Sequence, residues 1–468
     1  MILKRITVML AVAGVVLAGL AAPAAAAEPV VHTGQIDGAK YRVEVPPNWN
    51  GELLLYSRGY VTPGVPADAD TVFRPYADDA GLKALLLGRG YALAASGYSG
   101  TGFAVEEALR DQRMLLDWFD RNVGKPRRTY AWGASMGGLV SSLLAERNPG
   151  RFSGVLSLCG NVAGPTTEYN LRLDTAYAVK TLLAPGSDLQ IVNISDGAAN
   201  EAKFSAVVGS AMNTAQSRAK LALANALSNQ GGWFDPHSPK PASVEEAVFW
   251  QSINNRFAVG GNLWGKGRVD IEQRAGGNPL WNYGVDYRRS LDRSTEKDLV
   301  LRAYAEAGID LDTDLAALNA GATVKPDPAA VLRLQALVPW ATPGAPVLTM
   351  HTTGDQAVPV GNQRWYGDQA ARFGGDVKQV YIERGFHCSF SPAELLTGIE
   401  QVRHRAKTGR WADLGPRSLN QAVDAFPEAD RRVWSFAAGP PGSPGDFLPM
   451  PGAFTVYRPV ALPRSFPF

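Results

Sequence analysis

The chain has 468 residues, of which 46% are hydrophobic, with 46 basic against 44 acidic side chains. A net charge of +2 gives no sign of a nucleic-acid partner or of an anionic membrane surface. That hydrophobic content is enough for one large domain carrying an insertion, or for two domains, and the two cysteines and five histidines make no metal-type cluster in sequence.

At the N-terminus, Lys4 and Arg5 precede an uncharged apolar run over residues 6–20 and the small-residue stretch AAPAAAAEP. This pattern predicts a secretory signal peptide over residues 1–27, cleaved after Ala25-Ala26-Ala27. The run is shorter than the roughly 20 apolar residues a spanning helix needs, so the expectation is an exported chain with no membrane anchor. Without Lys4 and Arg5 the charges balance at 44 against 44.

YRVEVPPNWNGELLLYSRGY reads as a pair of strands across the turn-like PPNWNG, the second over 52–57. A short helix follows, ending at Gly88 and Gly90, then a buried strand over 91–96. Next come a helix over 104–123, a strand over 128–132, a helix over 136–147 and a strand over 154–158. Strands alternating with helices imply a parallel sheet covered on both faces. From 164 to 340 the alternation stops, leaving helical stretches and five of the eleven tryptophans: Trp233, Trp250, Trp264, Trp281 and Trp340. It resumes with a strand over 346–351, a helix over 361–373, a strand over 377–383, the loop RGFHCSFSP and a helix over 393–407. The insertion thus interrupts one domain. The tail AAGPPGSPGDFLPMPG is too rich in proline and glycine for regular elements and is expected to wrap the surface or stay partly disordered.

Gly133-Ala134-Ser135-Met136-Gly137 fits the G-x-S-x-G elbow, in which a sharp strand-to-helix turn exposes a strained serine and side chains at the glycine positions would clash. A serine nucleophile needs a histidine base held by a carboxylate. Of the five histidines, His32 lies before the sheet begins, His237 sits in the insertion, His351 precedes its candidate acid and His404 falls inside a helix. His387, in the loop directly after the last predicted strand, remains. The acid belongs after the preceding strand, where HTTGDQAVPV places Asp355; Asp376, ahead of its strand, and Glu383, inside one, are its rivals. The order Ser135, Asp355, His387 follows the chain.

On these motifs the chain resembles an α/β-hydrolase of the secreted bacterial serine-hydrolase kind, over residues 31–437. The resemblance implies a mostly parallel sheet with helices on both faces, split into core segments 28–163 and 341–437. A mainly helical cap, 164–340, falls between the sixth and seventh strands, and 438–468 form the tail. It implies a Ser135-Asp355-His387 triad and an oxyanion hole from the amide of Met136 and a second amide after the third strand. There Arg58-Gly59 replaces the His-Gly of many relatives, and Tyr60 is the expected donor. Cys159 and Cys388 end neighbouring strands of such a sheet, which makes a disulfide the expectation in an oxidising compartment, two buried thiols being the alternative. The cap tryptophans offer an apolar roof over Ser135, or simply the cap's own core. The implied activity is hydrolysis of a small-molecule or oligomeric carboxylic ester through an acyl-enzyme, without metal or organic cofactor. A peptidase or amidase with the same triad, and a silent binding protein on the same scaffold, are the alternatives.

Overall fold

Central strands that are largely apolar and buried along their whole length have no solvent face and must lie between two layers of helices. The computed structural model, which describes residues 28–65, 79–258, 264–436 and 447–464, builds such a sheet. Its strands are β1 (Val30–Ile36), β2 (Ala39–Val45), β3 (Glu52–Ser57), β4 (Ala92–Ser96), β5 (Arg128–Ala134), β6 (Gly154–Leu158), β7 (Val347–Gly354) and β8 (Val377–Gly385). A small ribbon of β9 (Arg432–Trp434) and β10 (Phe447–Pro449) and a last strand β11 (Phe454–Thr455) follow. The spatial order is β1-β2-β4-β3-β5-β6-β7-β8-β11, parallel from β4 to β8 and antiparallel at both edges.

Successive residues of β3 point to opposite layers. Leu53 and Leu55 pack with α2 (Val105–Asn122) and α3 (Met136–Arg147), while Leu54 and Tyr56 pack with α1 (Asp79–Gly88). Between β6 and β7 the chain runs through α4 (Gly164–Leu183), α5 (Gly197–Ser210), α6 (Ala215–Ala226) and α7 (Val244–Ile253). It continues through α8 (Lys266–Ala275), α9 (Tyr287–Asp292), α10 (Lys297–Ala307), α11 (Leu311–Gly321) and α12 (Pro328–Gln335). After β7 come α13 (Gly361–Phe373), α14 (Pro392–Thr408) and α15 (Pro416–Asp424). The helical region has a core of its own, including Tyr177, Phe204, Leu221, Val248, Trp264 and Tyr287.

Five expectations need correction or fall outside the description. The strands flanking PPNWNG do not pair: β4 lies between β2 and β3, because β3 is buried along its whole length and needs a parallel neighbour on each side. The sheet begins earlier than expected, so His32 belongs to β1, opposite Val43 and edge-on to Trp118. The tail is not shapeless. Phe454 pairs with Ile382 and covers the free edge of β8, which supplies the hydrogen-bond partners that the tail's composition could not find alone. The tryptophans do not form a single roof: Trp264 stacks on Phe204 inside the helical core and Trp340 is exposed beside Phe373, whereas Trp233 packs against Gly354 and Gly385 and accepts at its carbonyl from Gln356 in the Asp355 loop. The predicted signal peptide lies outside the described residues.

Beyond β11, Arg464 is buried against α4, where its guanidinium donates to both oxygens of Asp174 at 2.9 and 3.0 Å and to the Trp281 carbonyl. Removing one partner of a buried pair strands the other charge. Arg464→Met is therefore expected to destabilise the fold by about 3–5 kcal/mol, read as a lower urea midpoint at unchanged slope; a midpoint within error of wild type would contradict this packing.

Candidate active site

Ser135 stands at the junction of β5 and α3 with φ 59° and ψ −125°, a conformation that costs a non-glycine residue about 1–3 kcal/mol. The flanking glycines are steric requirements. A Cβ at Gly133 would lie 2.6 Å from the Gly137 carbonyl oxygen, and one at Gly137 would lie 2.8 Å from the Arg58 carbonyl oxygen, both also striking the Ser57 carbonyl. The Ser135 side chain does not cap α3, so its hydroxyl is not consumed by the helix. Met136 is the first residue of α3, and its N–H is one of the amides that a helix start leaves without an intrahelical acceptor. On the other side, a Cβ added to Gly59 would stand 3.5 Å from Ser135 Cβ, which places the Gly59-Tyr60 backbone against the serine.

Arg58 has a structural task. Its buried guanidinium donates to the carbonyls of Gly97, Gly59 and Gly100 at 3.0, 3.0 and 2.9 Å and lies 4.3 Å over the Tyr98 ring. Burial lowers its pKa, with the Tyr98 and Tyr56 side chains acting against that. The loop that carries Tyr60 is thereby tied to the loop after β4.

Asp355 and His387 follow strands that are neighbours. Gly354 pairs with Gly385 at the ends of β7 and β8, and a Cβ at Gly354 would lie 3.1 Å from Gly385 Cα. The two glycines let the loops converge, and His387 Nδ1 donates to Asp355 Oδ2 at 2.7 Å. Because a carboxylate only accepts, Nδ1 carries the proton and the neutral ring keeps its lone pair on Nε2. Asp355 Oδ1 accepts from the amides of Ala357 and Val358 at 2.9 and 2.8 Å, and Oδ2 takes a further contact from His351 Nε2 at 3.2 Å. Burial opposes ionisation here, but the His387 imidazole and the bonds from His351 and His387 outweigh it and hold the carboxyl well below its ordinary range. His351 Nε2 also lies 2.9 Å from the Val358 carbonyl, an acceptor, so that nitrogen bears the hydrogen.

The His387 loop is held at both ends. Phe386 and Cys388 have φ of 69° and 53°, so the histidine sits between two residues in left-handed backbone. Thr352 Oγ1 donates to the Phe386 carbonyl at 2.7 Å, and Arg384 binds the Ser389 carbonyl and both oxygens of Glu394. Cys388 is joined to Cys159 by a disulfide with Cα atoms 5.5 Å apart. The same stretch reaches Ser135, whose amide donates to the Leu158 carbonyl at 2.9 Å, one residue before Cys159. Above this edge α4 brings a buried Glu168–Arg172 pair, with Arg172 donating to the carbonyls of Gln356 and Ala357 in the Asp355 loop. Burial raises the Glu168 pKa and the Arg172 charge lowers it, with smaller effects of opposite sign from Asp355 and His387.

The structure therefore gathers Ser135, Met136, Tyr60, Asp355, His387, Cys159 and Cys388 on one sheet edge. It leaves Asp376 bound to Arg405 and Trp411, and Glu383 within β8. Sequence reasoning missed His351, the anchoring task of Arg58 and the glycine pair; TTGD and ERGFH do show a glycine just ahead of the acid and of the histidine.

A mostly parallel sheet with antiparallel edges, helices on both faces and a serine elbow after its fifth strand defines an α/β-hydrolase. The chain has that fold and is a serine hydrolase. The model of a family described as Esterase matches residues 90–266. An o-phthalyl amidase of Xanthobacter agilis is 27% identical over 426 residues, 83% of this chain and 90% of that one. Among solved structures, an esterase from Aspergillus oryzae aligns with TM-score 0.41 at 15% identity, covering 82% of this chain and 80% of its own. The acylaminoacyl peptidase of Pyrococcus horikoshii aligns with TM-score 0.34 at 13% identity, covering 81% and 40%.

Two outcomes follow from this geometry. Asp355 ionises in the folded state below its ordinary value of about 3.9, so its stabilising contribution is complete above that pH and fades as pH falls toward the folded-state value. The stability gap between wild type and Asp355→Asn is expected to be widest near neutrality and to close by about 1.4 kcal/mol per pH unit below pH ~4; a gap unchanged by acid in denaturant titrations would refute the assignment. The disulfide closes a sequence separation of 229 residues, and the Cys159→Ala/Cys388→Ala protein is expected to lose roughly 2–5 kcal/mol. Intact mass of the non-reduced wild type checks the bond itself, since a free dithiol would be heavier by the two thiol hydrogens.

Proposed function

We propose that the chain is a secreted carboxylic-ester hydrolase working through an acyl-enzyme on Ser135. The observation that carries this is the 2.7 Å His387–Asp355 bond on the same sheet edge as a serine held at positive φ. Ser135 Oγ attacks the substrate carbonyl and its proton passes to His387 Nε2, while Asp355 holds the ring and stabilises the imidazolium. The oxyanion accepts from the Met136 and Tyr60 amides, each donor worth about 2.7–4 kcal/mol in such sites. The intermediate collapses as His387 returns the proton to the departing alcohol, and water, deprotonated by the same ring, then releases the acid. Secretion is supported by the signal-peptide pattern together with a disulfide that an oxidising compartment would preserve. Among the described residues no helix is long and apolar enough to cross a membrane.

The second reading, amide hydrolysis with the same residues, is favoured by the likeness to o-phthalyl amidase along most of both chains. It changes the leaving group from alcohol to amine and nothing else in the scheme. Ser135→Ala is expected to lose turnover of p-nitrophenyl acyl esters by roughly 10⁴- to 10⁶-fold and to lose labelling by a fluorophosphonate; an adduct that persists in the variant would sink the assignment. Faster turnover of matched p-nitroanilides than of the esters would establish the amide reading instead.

A further inference from the structure

Arg268, on α8, is 1% exposed, and its Nε, Nη1 and Nη2 have no hydrogen-bond partner among the described residues. A buried guanidinium normally finds a carboxylate or several carbonyls, since burying an unpaired charge costs several kcal/mol by order of magnitude. The acids around it are engaged elsewhere. Glu272 accepts from the Asn193 amide, Asp174 from Arg464 and Tyr287, and Asp270 from Arg274 and the Phe103 amide. Burial lowers the pKa of Arg268 to about 10, with Glu272, Tyr169 and Asp174 acting against that, so it is still charged at neutral pH.

Two other buried polar atoms lack partners, the hydroxyl of Tyr169, which neighbours Arg268, and that of Tyr60, which neighbours Tyr169 in turn. Burial raises both tyrosine pKa values, so both phenols are neutral donors. Tyr169 feels the charge of Arg268 and lies edge-on to Phe103 at 5.5 Å. The cluster adjoins the catalytic edge from two directions. Tyr60 follows Gly59, which abuts Ser135, and Tyr169 follows Glu168, which feels both Asp355 and His387. Glu168 is itself paired with Arg172 at 3.0 Å, whereas Arg268 has no hydrogen-bonded acid among the described residues. A forked cation with two phenolic donors matches the two acceptor oxygens of a carboxylate.

We propose that Arg268, with the Tyr60 and Tyr169 hydroxyls, forms a carboxylate-binding subsite beside Ser135, so that the preferred substrates are esters or amides bearing a second, free carboxylate. The proposal rests on the Ser135 hydrolase reading. The carboxylate can belong to the acyl part, as in a half-ester of a dicarboxylic acid, or to the leaving group.

The test uses the full chain with two pairs of substrates. Mono-4-nitrophenyl glutarate against 4-nitrophenyl butyrate probes the acyl side, and 4-butanoyloxybenzoate against phenyl butyrate probes the leaving side. One anionic member is expected to exceed its neutral counterpart in kcat/KM by on the order of 10- to 100-fold. Arg268→Met is expected to erase that preference, Arg268→Lys to keep part of it, and Tyr169→Phe to reduce it. Neutral esters turned over as fast as both anionic ones, with activity still lost in Ser135→Ala, would overturn the subsite and leave the hydrolase reading standing. If no ester is turned over and no fluorophosphonate adduct forms, the hydrolase reading falls. Calorimetry of glutarate binding to the Ser135→Ala protein then decides the subsite alone, saturable binding that is weakened in the Arg268→Lys background and lost in the Arg268→Met background supporting it and no binding refuting it. Should Arg268→Met fail to fold, the Lys and Tyr169→Phe variants carry the comparison.

Discussion

The site depends on one buried charge, the Asp355 carboxylate. Taken out of water alone, it would take up a proton and cease to orient anything. Four donors prevent this: the amides of Ala357 and Val358 on one oxygen, and the rings of His387 and His351 on the other. Each donor fixes part of the surrounding fold. The amides require the chain to turn sharply after β7, His351 spans from within β7 to the same carboxylate, and His387 ties the loop after β8 to it. Saturating the carboxylate and placing the His387 ring are therefore one structural act.

Strain is concentrated where that act requires it. Ser135, Phe386, Cys159 and Cys388 all have positive φ without being glycine, and all lie on one edge of the sheet. Relaxed backbone would fold the Ser135 hydroxyl toward the helix start and let the His387 loop drift. The surroundings resist both movements: the Ser57 carbonyl leaves no room for side chains at Gly133 and Gly137, and the disulfide joins two of the strained residues directly. Rigidity is the part of the site's function that a hydrogen-bond inventory leaves out.

The sheet, and the segments that bring the site together, were readable because their signals are local. Helix 136–147 and strand 154–158 are bounded as periodicity predicts, and the histidine and acid emerge from their places after strands. What escaped depended on neighbours distant in sequence. Strands β2 and β3 look like a hairpin across PPNWNG until β4 is found between them, and β11 is a strand only because β8 offers a free edge. His351 was set aside for preceding its acid, a sound ground against a general base but none against a second donor on the same carboxylate. Arg58 and Arg268 lie in stretches without periodicity, where only the folded surroundings say what a guanidinium touches.

Among the described residues, the three largest side chains buried below 2% exposure are all arginines, and they differ in their partners. Arg384 is held by Glu394 and the Ser389 carbonyl, and Arg172 by Glu168 and the carbonyls of Gln356 and Ala357. Arg172 braces the Asp355 loop and Arg384 the His387 loop, and each is paired with a carboxylate of the chain. Arg268 has the same burial and no such partners. A protein that pairs two buried guanidinium groups with a carboxylate and carbonyls has the means to do so for a third; leaving Arg268 without a hydrogen-bond partner makes sense if its partner arrives with the substrate. On that argument the core domain supplies the chemistry common to its class, and the helical insertion, through α4 and α8, supplies the charge that selects what reaches it.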